Sequence, residues 1–504
     1  MKNITIVGGG ACGTAVFIEL LLQIVTSGLA NQLKITIIEK DKRLGYGLAF
    51  GTEQPGHLLN TQTELMGIHV HEPQHFSQWL MDRGGKNRED VKGGGETDHT
   101  YTTRKLYGDY VSSQAKEYLQ RAKEAGLETD IIYAEAIDIH RVSGSYEVLC
   151  HDGRRIASEF VVLALGTPEP KNYNEFSDLS EFVGFPWPSA RIIHAVGHND
   201  HVGILGTSLS AIDAVMTLVD NGHRGEISLF SPDGMLPRVQ PEDTSPYERR
   251  RLTLRKMHEI KRNTMRKVGV KQVFRLFQQE VEAHAGQPID WKLKKREKRA
   301  AEPMLEEDIA MAERGGDVLS DVIYSLRYDA GRIWKMWDEE EKDRFKKWLG
   351  SHWTVYRHAM PLHNAYRLRE LFQQKRLHIY PGLEAVEFNP HRRTFHLALE
   401  ASASKTVDKL INATGIPAHL SEMGCSLVDN LLQKQYLSPY SAGGACIDEL
   451  TMQAISPKGG EGIYVIGHLA NGMLLDVNAV WFNVRTAAIL CEHLLSQIRN
   501  GRVF

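Results

Sequence analysis

Six residues near the start of the chain, Gly8-Gly9-Gly10-Ala11-Cys12-Gly13, have the types and spacing to hold a phosphate-bearing cofactor. In a G-x-G-x-x-G turn the first glycine permits the tight bend, the second lets a pyrophosphate approach the backbone, and the third lets the following helix pack on the preceding strand. Free N–H groups at the helix start then face the phosphates. The flanks suit this use: Asn3-Ile4-Thr5-Ile6-Val7 is a β-branched run that predicts a strand, and residues 15–29 are apolar with helical character. A second such run, Lys34-Ile35-Thr36-Ile37-Ile38, stops at Glu39, where a carboxylate at the next strand's end can accept hydrogen bonds from a ribose diol. The candidate contacts are therefore Gly8, Gly10, Ala11, Cys12, Gly13, Glu39 and the neighbouring Lys40.

Further along the chain the pattern returns. Residues 202–218 predict strand, turn and helix around Gly206-Thr207-Ser208-Leu209-Ser210-Ala211, a G-x-S-x-x-A variant with Ser208 in place of the middle glycine. A serine there either crowds a pyrophosphate or hydrogen-bonds to it, so Gly206 and Ser208 mark a nicotinamide site or a degenerate structural repeat. The partner strand, 226–230, ends at Ser231 with no carboxylate for a ribose 2′-hydroxyl, while Arg224 and Arg238 are near enough in sequence to meet a 2′-phosphate. This pattern predicts NADPH over NADH, and Asp233 keeps NADH open.

The elements that must position these turns belong to a chain of 504 residues, long enough for more than one hydrophobic core. A formal charge of -3 gives no basic field for nucleic acid or an anionic membrane, which leaves a small-molecule substrate as the expected partner and the oligomeric state open. Five scattered cysteines without a Cys-x-x-Cys pair read as reduced packing residues and exclude dithiol chemistry. With no apolar run long enough to span a bilayer and no basic stretch leading an apolar one at Met1, a cytoplasmic location is expected. No H-E-x-x-H, Walker or G-x-S-x-G motif occurs, so no metal site, ATP hydrolysis or serine esterase chemistry is expected.

Further segments carry a family pattern. They are Leu44-Gly45-Tyr46-Gly47-Leu48-Ala49-Phe50-Gly51-Thr52, His57-Leu58-Leu59-Asn60, residues 101–110 from Tyr101 to Tyr110, and Trp353-Thr354-Val355-Tyr356-Arg357-His358. With the first glycine turn, these make the chain resemble the YdhS-like FAD/NAD(P)-binding proteins, distant relatives of the flavin-dependent N-hydroxylating (class B) monooxygenases, over nearly its whole length. The resemblance implies that Gly47, Leu48, Ala49, Leu59, Asn60 and Arg104 lie along FAD, a surface ion pair being the other reading of Arg104. Asp408-Lys409-Leu410-Ile411-Asn412-Ala413-Thr414-Gly415 is similar to the D-x-x-x-(L/F)-A-T-G motif of the N-hydroxylating enzymes, with Asn412 at an apolar position. It implies that Thr414 and Gly415 pass close to a nucleotide, with Gly166 in Leu165-Gly166-Thr167-Pro168 as a looser counterpart. Ile463-Tyr464-Val465-Ile466-Gly467-His468 resembles the strand that closes an FAD domain, with His468 where the family has Asp, and residues 471–478 would run beside the flavin. His194 loosely resembles a class B signature histidine or sits in a linker, and His358 and His363 beside Arg357 either bind an anion or pack between domains.

The expected fold class is α/β, with two Rossmann-like, doubly wound, three-layer dinucleotide-binding domains and a helical insertion. Residues 1–185 would open the FAD domain, 186–376 would form the NAD(P)-binding-like domain with a charged insertion at about 245–350, and 377–504 would close the FAD domain. The function this implies is an FAD-dependent, NAD(P)H-using oxidoreductase. It would be a monooxygenase that hydroxylates a small nucleophilic substrate, such as an amine, with molecular oxygen through a flavin C4a-hydroperoxide. Two alternatives stand beside it: an NAD(P)H-dependent reductase or dehydrogenase without oxygenation, and a flavin-binding regulatory protein with a degenerate nicotinamide site. No catalytic side chain is named, because the flavin would carry the chemistry.

Overall fold

The computed structural model describes residues 1–83, 91–92, 101–241, 247–291, 299–458 and 460–501; the basic run Lys294-Lys295-Arg296 lies outside them. The chain divides into two compact units. Met1–Glu53, Thr61–Asn172 and Ile416–Phe504 form the first, and Gln54–Asn60 with Tyr173–Gly415 form the second. In chain order the first unit supplies strand β1 (Lys2–Val7), helix α1 (Ala11–Thr26), β2 (Leu33–Glu39), α2 (Arg104–Glu124), β3 (Glu128–Tyr133) and β4 (Phe160–Leu163). The second supplies β5 (Phe182–Val183), β6 (Val202–Leu205), α3 (Leu209–Asp220), β7 (Ile227–Ser231), α4 (Glu339–Arg357), β8 (Leu377–Pro381) and β9 (Lys409–Asn412). The chain then returns to the first unit for β10 (Ile463–Val465) and α5 (Val480–Arg499).

Each unit is built on a five-stranded sheet, ordered β10-β4-β1-β2-β3 in the first and β5-β9-β6-β7-β8 in the second. Every neighbouring pair is parallel. Strands covered on both faces need apolar residues at successive positions, and β4 (Phe160-Val161-Val162-Leu163) and β6 (Val202-Gly203-Ile204-Leu205) are buried throughout. In each sheet the central strand, β1 or β6, leads directly into a glycine turn.

Four strands of the second sheet, β9-β6-β7-β8, repeat the order and connection of β4-β1-β2-β3, while the edge strand β5 precedes its sheet in the chain and β10 comes last in its own. Between β3 and β4 runs a three-stranded antiparallel sheet (Ala136–Val142, Ser145–Cys150, Arg155–Ser158), and between β8 and β9 runs another (Leu383–Asn389, Thr394–Leu399, Ala403–Val407). The expected helical insertion lies between β7 and β8, with helices from Leu254 to Arg357. Its entry is fixed by Glu280, a fully buried carboxylate that accepts the Arg250, Arg251 and Leu252 N–H groups at 3.0, 2.5 and 2.6 Å and the Tyr247 hydroxyl at 2.7 Å.

One expectation is corrected. Strands at 377–381, 394–399 and 409–412, assigned from sequence to the closing part of the FAD domain, lie in the second unit. There β8 pairs with β7 (Ile227 opposite Leu377) and β9 with β6 (Gly203 opposite Leu410). A short apolar strand carries no mark of the sheet it will join, and the pairing is settled only by which edge its crossover can reach. The chain re-enters the first unit at Ile416, where β10 joins β4 and α5 packs on α1, with the Cys491 thiol 3.7 Å from the Val16 carbonyl. All five cysteines are free thiols. Among the described residues no helix is long and apolar enough to cross a membrane, and no group of three His, Cys, Asp or Glu could hold a metal ion.

Candidate functional site: two glycine turns built alike

In the first turn Gly8 takes φ +104°, and its N–H donates to the Ile38 carbonyl at 2.8 Å. A methyl group on Gly8 would overlap the Ala164 carbonyl, and one on Gly13 would overlap the Gly8 carbonyl. Glycine is needed at Gly13 for contact alone, and at Gly8 for both contact and its positive φ. Gly10 is the N-cap of α1 in extended conformation, and no side chain caps that helix, so its first N–H groups and the positive end of its dipole face outward. Ala11 and Cys12 open the helix. Burial pushes the Cys12 thiol up to about 12, which keeps it neutral.

Glu39 ends β2 beneath this turn and is 4% exposed. One carboxylate oxygen accepts the Gly9 N–H at 2.6 Å and the other accepts the Asp41 N–H at 2.9 Å. Burial raises its pKa above the ordinary carboxyl value, with the two N–H bonds opposing the shift. Glu39 therefore braces the turn, and Lys40 beside it is exposed. The Gly45 N–H donates to the Gly9 carbonyl at 2.8 Å, which docks the next loop on the turn. Gly10 and Gly47 then face each other: a methyl on either would stand 3.3 or 3.2 Å from the other's Cα. Bare backbone on both sides is what close approach of a pyrophosphate requires, and FAD fits these residues.

The remaining first-unit candidates are spread around this core. Leu48 and Ala49 lie on the short helix Gly47–Phe50, whose preceding residue, Tyr46, donates its hydroxyl to Asp109 at 2.5 Å. Arg104, half-buried, begins α2, which Thr103 caps by accepting the Leu106 N–H at 3.3 Å. Gly166 takes φ +68° with open space on its side-chain face. Gly467 follows β10 beside the Cys12 sulfur. His468, where the family pattern has Asp, is buried: Nε2–H donates to the Pro417 carbonyl at 2.9 Å, and Nδ1 faces the Asn478 amide at 3.4 Å. Burial lowers its pKa, so it is a neutral strut between the closing strand and the chain that returns to this unit.

The second turn shares the backbone frame of the first around its leading glycine. Gly206 takes φ +116°, its N–H donates to the Phe230 carbonyl at 2.7 Å, and a methyl on it would overlap the Ala413 carbonyl. Ala413 thus plays the part of Ala164, and Gly415, at φ +97° with open space beside it, that of Gly166. The Thr414 hydroxyl donates to Asn412 Oδ1 at 2.7 Å, which gives the unexpected polar residue of that motif a local use. Ser231 holds the position of Glu39, accepting the Gly234 N–H at 2.9 Å and lying 3.1 Å from the Thr207 hydroxyl. Thr207 also donates to the Met235 carbonyl at 2.7 Å. Ser208, exposed, is the uncapped N-cap residue of α3, as Gly10 is of α1.

A cavity of about 320 Å³ opens at this second turn. It is lined by Thr207, Ser208, Asp233 and Met235 from the turn side, and by Gly350, Ser351 and Thr354 from α4. Thr354 belongs to the family-pattern segment at 353–358, but nothing in the sequence marks it, Gly350 or Ser351 as neighbours of Ser208.

Two other placements differ from the sequence expectation. Arg238, expected to await a 2′-phosphate, is 7% exposed in its side chain, 2.8 Å from Asp308 and 3.2 Å from Asp317, with its guanidinium over the Tyr356 ring. Two carboxylates already neutralise it. The His57–Asn60 motif, expected along FAD, belongs to the second unit and is stitched to α3: His57 Nε2 is 2.9 Å from both the Asp213 carbonyl and the Thr217 hydroxyl, and the Asn60 carbonyl accepts from Gln240 at 2.9 Å. Leu59 within it is buried. His194 is exposed on the short helix Ala190–Ala195.

Residues 5–168, the span from β1 past β4, match a protein-family model described as FAD-NAD(P)-binding. They form an FAD/NAD(P)-binding segment. The uncharacterized protein YdhS of Escherichia coli K12 is 24% identical over 274 residues, 49% of this chain and 48% of that protein. The match thus spans about half the length of this curated relative. Among solved structures, the chain is similar to ornithine hydroxylase from Pseudomonas aeruginosa (15% identity, 99% of each chain, TM-score 0.57). It is also similar to L-lysine 6-monooxygenase from Pseudomonas syringae (14%, 99% and 100%, 0.57). A third is ornithine N-hydroxylase from Kutzneria sp. 744, solved with reduced FAD, NADP+ and L-ornithine (13%, 99% and 100%, 0.57). At these identities the likeness is one of fold, a Rossmann-type α/β architecture, to which the FAD/NAD(P)-binding segment contributes the first glycine turn.

Proposed function

We propose that the protein is an FAD-dependent oxidoreductase that takes electrons from a nicotinamide cofactor and hydroxylates a small nucleophilic substrate with molecular oxygen. The observation that carries this reading is the repeat itself: two parallel sheets, each with its central strand entering a turn whose first glycine is locked under the carbonyl of an alanine, Ala164 or Ala413. One such turn serves one dinucleotide; two serve a donor and an acceptor. Fold alone does not name a reaction, and the choice of an amine substrate rests on likeness to the ornithine and lysine hydroxylases.

In this reading Gly8, Gly10, Ala11, Cys12 and Gly13 bind the FAD diphosphate, and Glu39 and Lys40 bind its adenosine ribose. Gly47, Leu48, Ala49, Arg104, Gly166, Gly467 and His468 border the rest. Gly206, Ser208, Thr414 and Gly415 receive the nicotinamide dinucleotide. When bound, FAD supplies two-electron transfer and the activation of oxygen. The chain's own residues bind and orient. The protonated Cys12 thiol adds no negative charge to the diphosphate site, and the uncapped start of α1 supplies positive potential there.

The test is spectroscopic. Purified protein should be yellow, and a nicotinamide cofactor should bleach it without oxygen. Readmitted oxygen, with a diamine or basic amino acid present, should give a product heavier by one oxygen atom. Release of hydrogen peroxide alone, whatever amine is offered, would instead favour the reductase reading. Failure to bleach would favour a binding protein, the reading that Ser208 in the place of a glycine supports.

A further inference from the structure

The cavity at the second turn is lined by polar groups of two kinds. Thr207 and Asp233 are spent within the turn: the Thr207 hydroxyl donates to the Met235 carbonyl at 2.7 Å, and an Asp233 carboxylate oxygen accepts the Met235 N–H at 3.3 Å. The hydroxyls of Ser208, at the start of α3, and of Ser351 and Thr354, on α4, have no hydrogen-bond partner among the described residues. Ser351 and Thr354 are three apart in a helix and so share one face. Gly350 lies beside them inside the same helix, where glycine is destabilising. Packing does not require it, since a methyl there would come no closer than 4.0 Å to the Lys346 side chain. What the missing side chain leaves open is the cavity.

We propose that α4 is a wall of the nicotinamide cofactor's diphosphate site, with the Ser351 and Thr354 hydroxyls donating to the phosphates that Ser208 and the start of α3 also receive. The proposal rests on the nicotinamide reading given above. Around the first turn the neighbour of Gly10 is the bare backbone of Gly47, whereas around the second it is a helix that carries hydroxyls. Charge decides the side. Asp233 is the one charged residue of the lining, and a carboxylate repels a diphosphate, which is thereby driven toward α4. Neither nearby arginine competes for it. Arg224 is exposed but precedes Ile227 at the start of β7, the opposite end of that strand from Ser231, and its N–H donates to the His198 carbonyl at 2.6 Å. Arg238 is held by Asp308 and Asp317. The diphosphate is common to NADH and NADPH, so the same wall serves either cofactor, and the helical insertion becomes part of the binding site.

Calorimetry on the FAD-loaded full chain tests it, with ADP-ribose, which carries the diphosphate without the nicotinamide, as the probe. Ser351→Ala and Thr354→Val should each weaken binding about tenfold, the scale of a hydrogen bond to a charged group. Ser351→Thr and Thr354→Ser keep the hydroxyl and should bind as the unmodified protein does, with flavin content and melting temperature unchanged in all four. Gly350→Leu should weaken binding by a similar factor while its melting temperature does not fall, because leucine favours the helix and fills the cavity. Undiminished binding in the variant carrying both Ser351→Ala and Thr354→Val, or in Gly350→Leu, overturns the proposal. So does a loss in the hydroxyl-keeping variants as large as in the others. Anaerobic flavin reduction by NADH and NADPH, measured alongside, separates the two levels. Reduction by either, with ADP-ribose binding indifferent to α4, removes only the wall; reduction by neither, with no binding of ADP-ribose, removes the nicotinamide reading as well.

Discussion

Ser208 occupies in the second unit the backbone setting that Gly10 occupies in the first: φ -88° and ψ -170° against φ -72° and ψ -162°, each as the N-cap of a helix without a side-chain cap. The two differ in what stands opposite. Gly10 faces the Cα of Gly47, and Ser208 faces a cavity walled by α4.

Gly10→Ser should therefore weaken FAD retention about tenfold or more and cost roughly 1 kcal/mol of stability, because the new Cβ stands 3.3 Å from Gly47. Ser208→Gly should change stability by only a few tenths of a kcal/mol, since the serine caps nothing. Flavin content after gel filtration and thermal melts read both. Equal flavin loss in the two variants would mean that the turns are not used differently.

Gly13→Ala should be more severe than Gly10→Ala, whose methyl would meet only the Gly47 backbone at 3.3 Å. At Gly13 the methyl would run into the Gly8 carbonyl, which is backbone and cannot swing aside, so a loss of about 3 kcal/mol or more in unfolding free energy is expected. The second turn already carries Ala211 at the matching place, fully buried, so Ala211→Gly should cost about 1 kcal/mol through helix propensity and little else. Urea titration of the two variants compares them.

Arg238→Met should destabilise the second unit by about 3 kcal/mol, because it strands the buried Asp308 and the partly exposed Asp317 without their cation. Adding Asp308→Asn and Asp317→Asn should recover part of that loss. An arginine reserved for a cofactor phosphate would behave otherwise, and its removal would leave the melting temperature nearly unchanged.

Glu280 predicts an acid limit for the helical insertion. Burial alone would raise its pKa, but the Arg250, Leu252 and Arg251 N–H groups and the Tyr247 hydroxyl outweigh this and hold it below the usual glutamate value. A carboxyl depressed in the folded state stabilises fully above its unfolded pKa, and that stability drains away as pH falls through the folded one. The melting temperature of the wild type should therefore drop as pH is lowered through and below the ordinary carboxylate range. Glu280→Gln should lose about 2–3 kcal/mol at neutral pH and show a flatter acid dependence.

Much of the first turn is legible in the chain itself. Gly8, Gly10, Gly13 and Glu39 lie close together in the sequence, and each is required by an interaction with a chain neighbour or with an adjacent strand or loop. The second turn is legible as a pattern, but its chemistry is not. Arg238 looks available in the sequence and is buried, because Asp308 and Asp317 reach it from a segment well beyond it in the chain.

What the sequence determined by itself was local: β-branched runs that must be strands, glycines where no side chain fits, and an acid at a strand end, all dictated by sterics and hydrogen bonding over short separations. What only the tertiary structure decided was membership and company. The strands at 377–381 and 409–412 joined the second sheet, α4 came to wall the cavity at Ser208, and Asp233 rather than Ser231 presents a carboxylate there. Those outcomes depend on which apolar faces bury each other and which buried charges find partners, and such long-range contacts leave no periodic trace in the residues that make them.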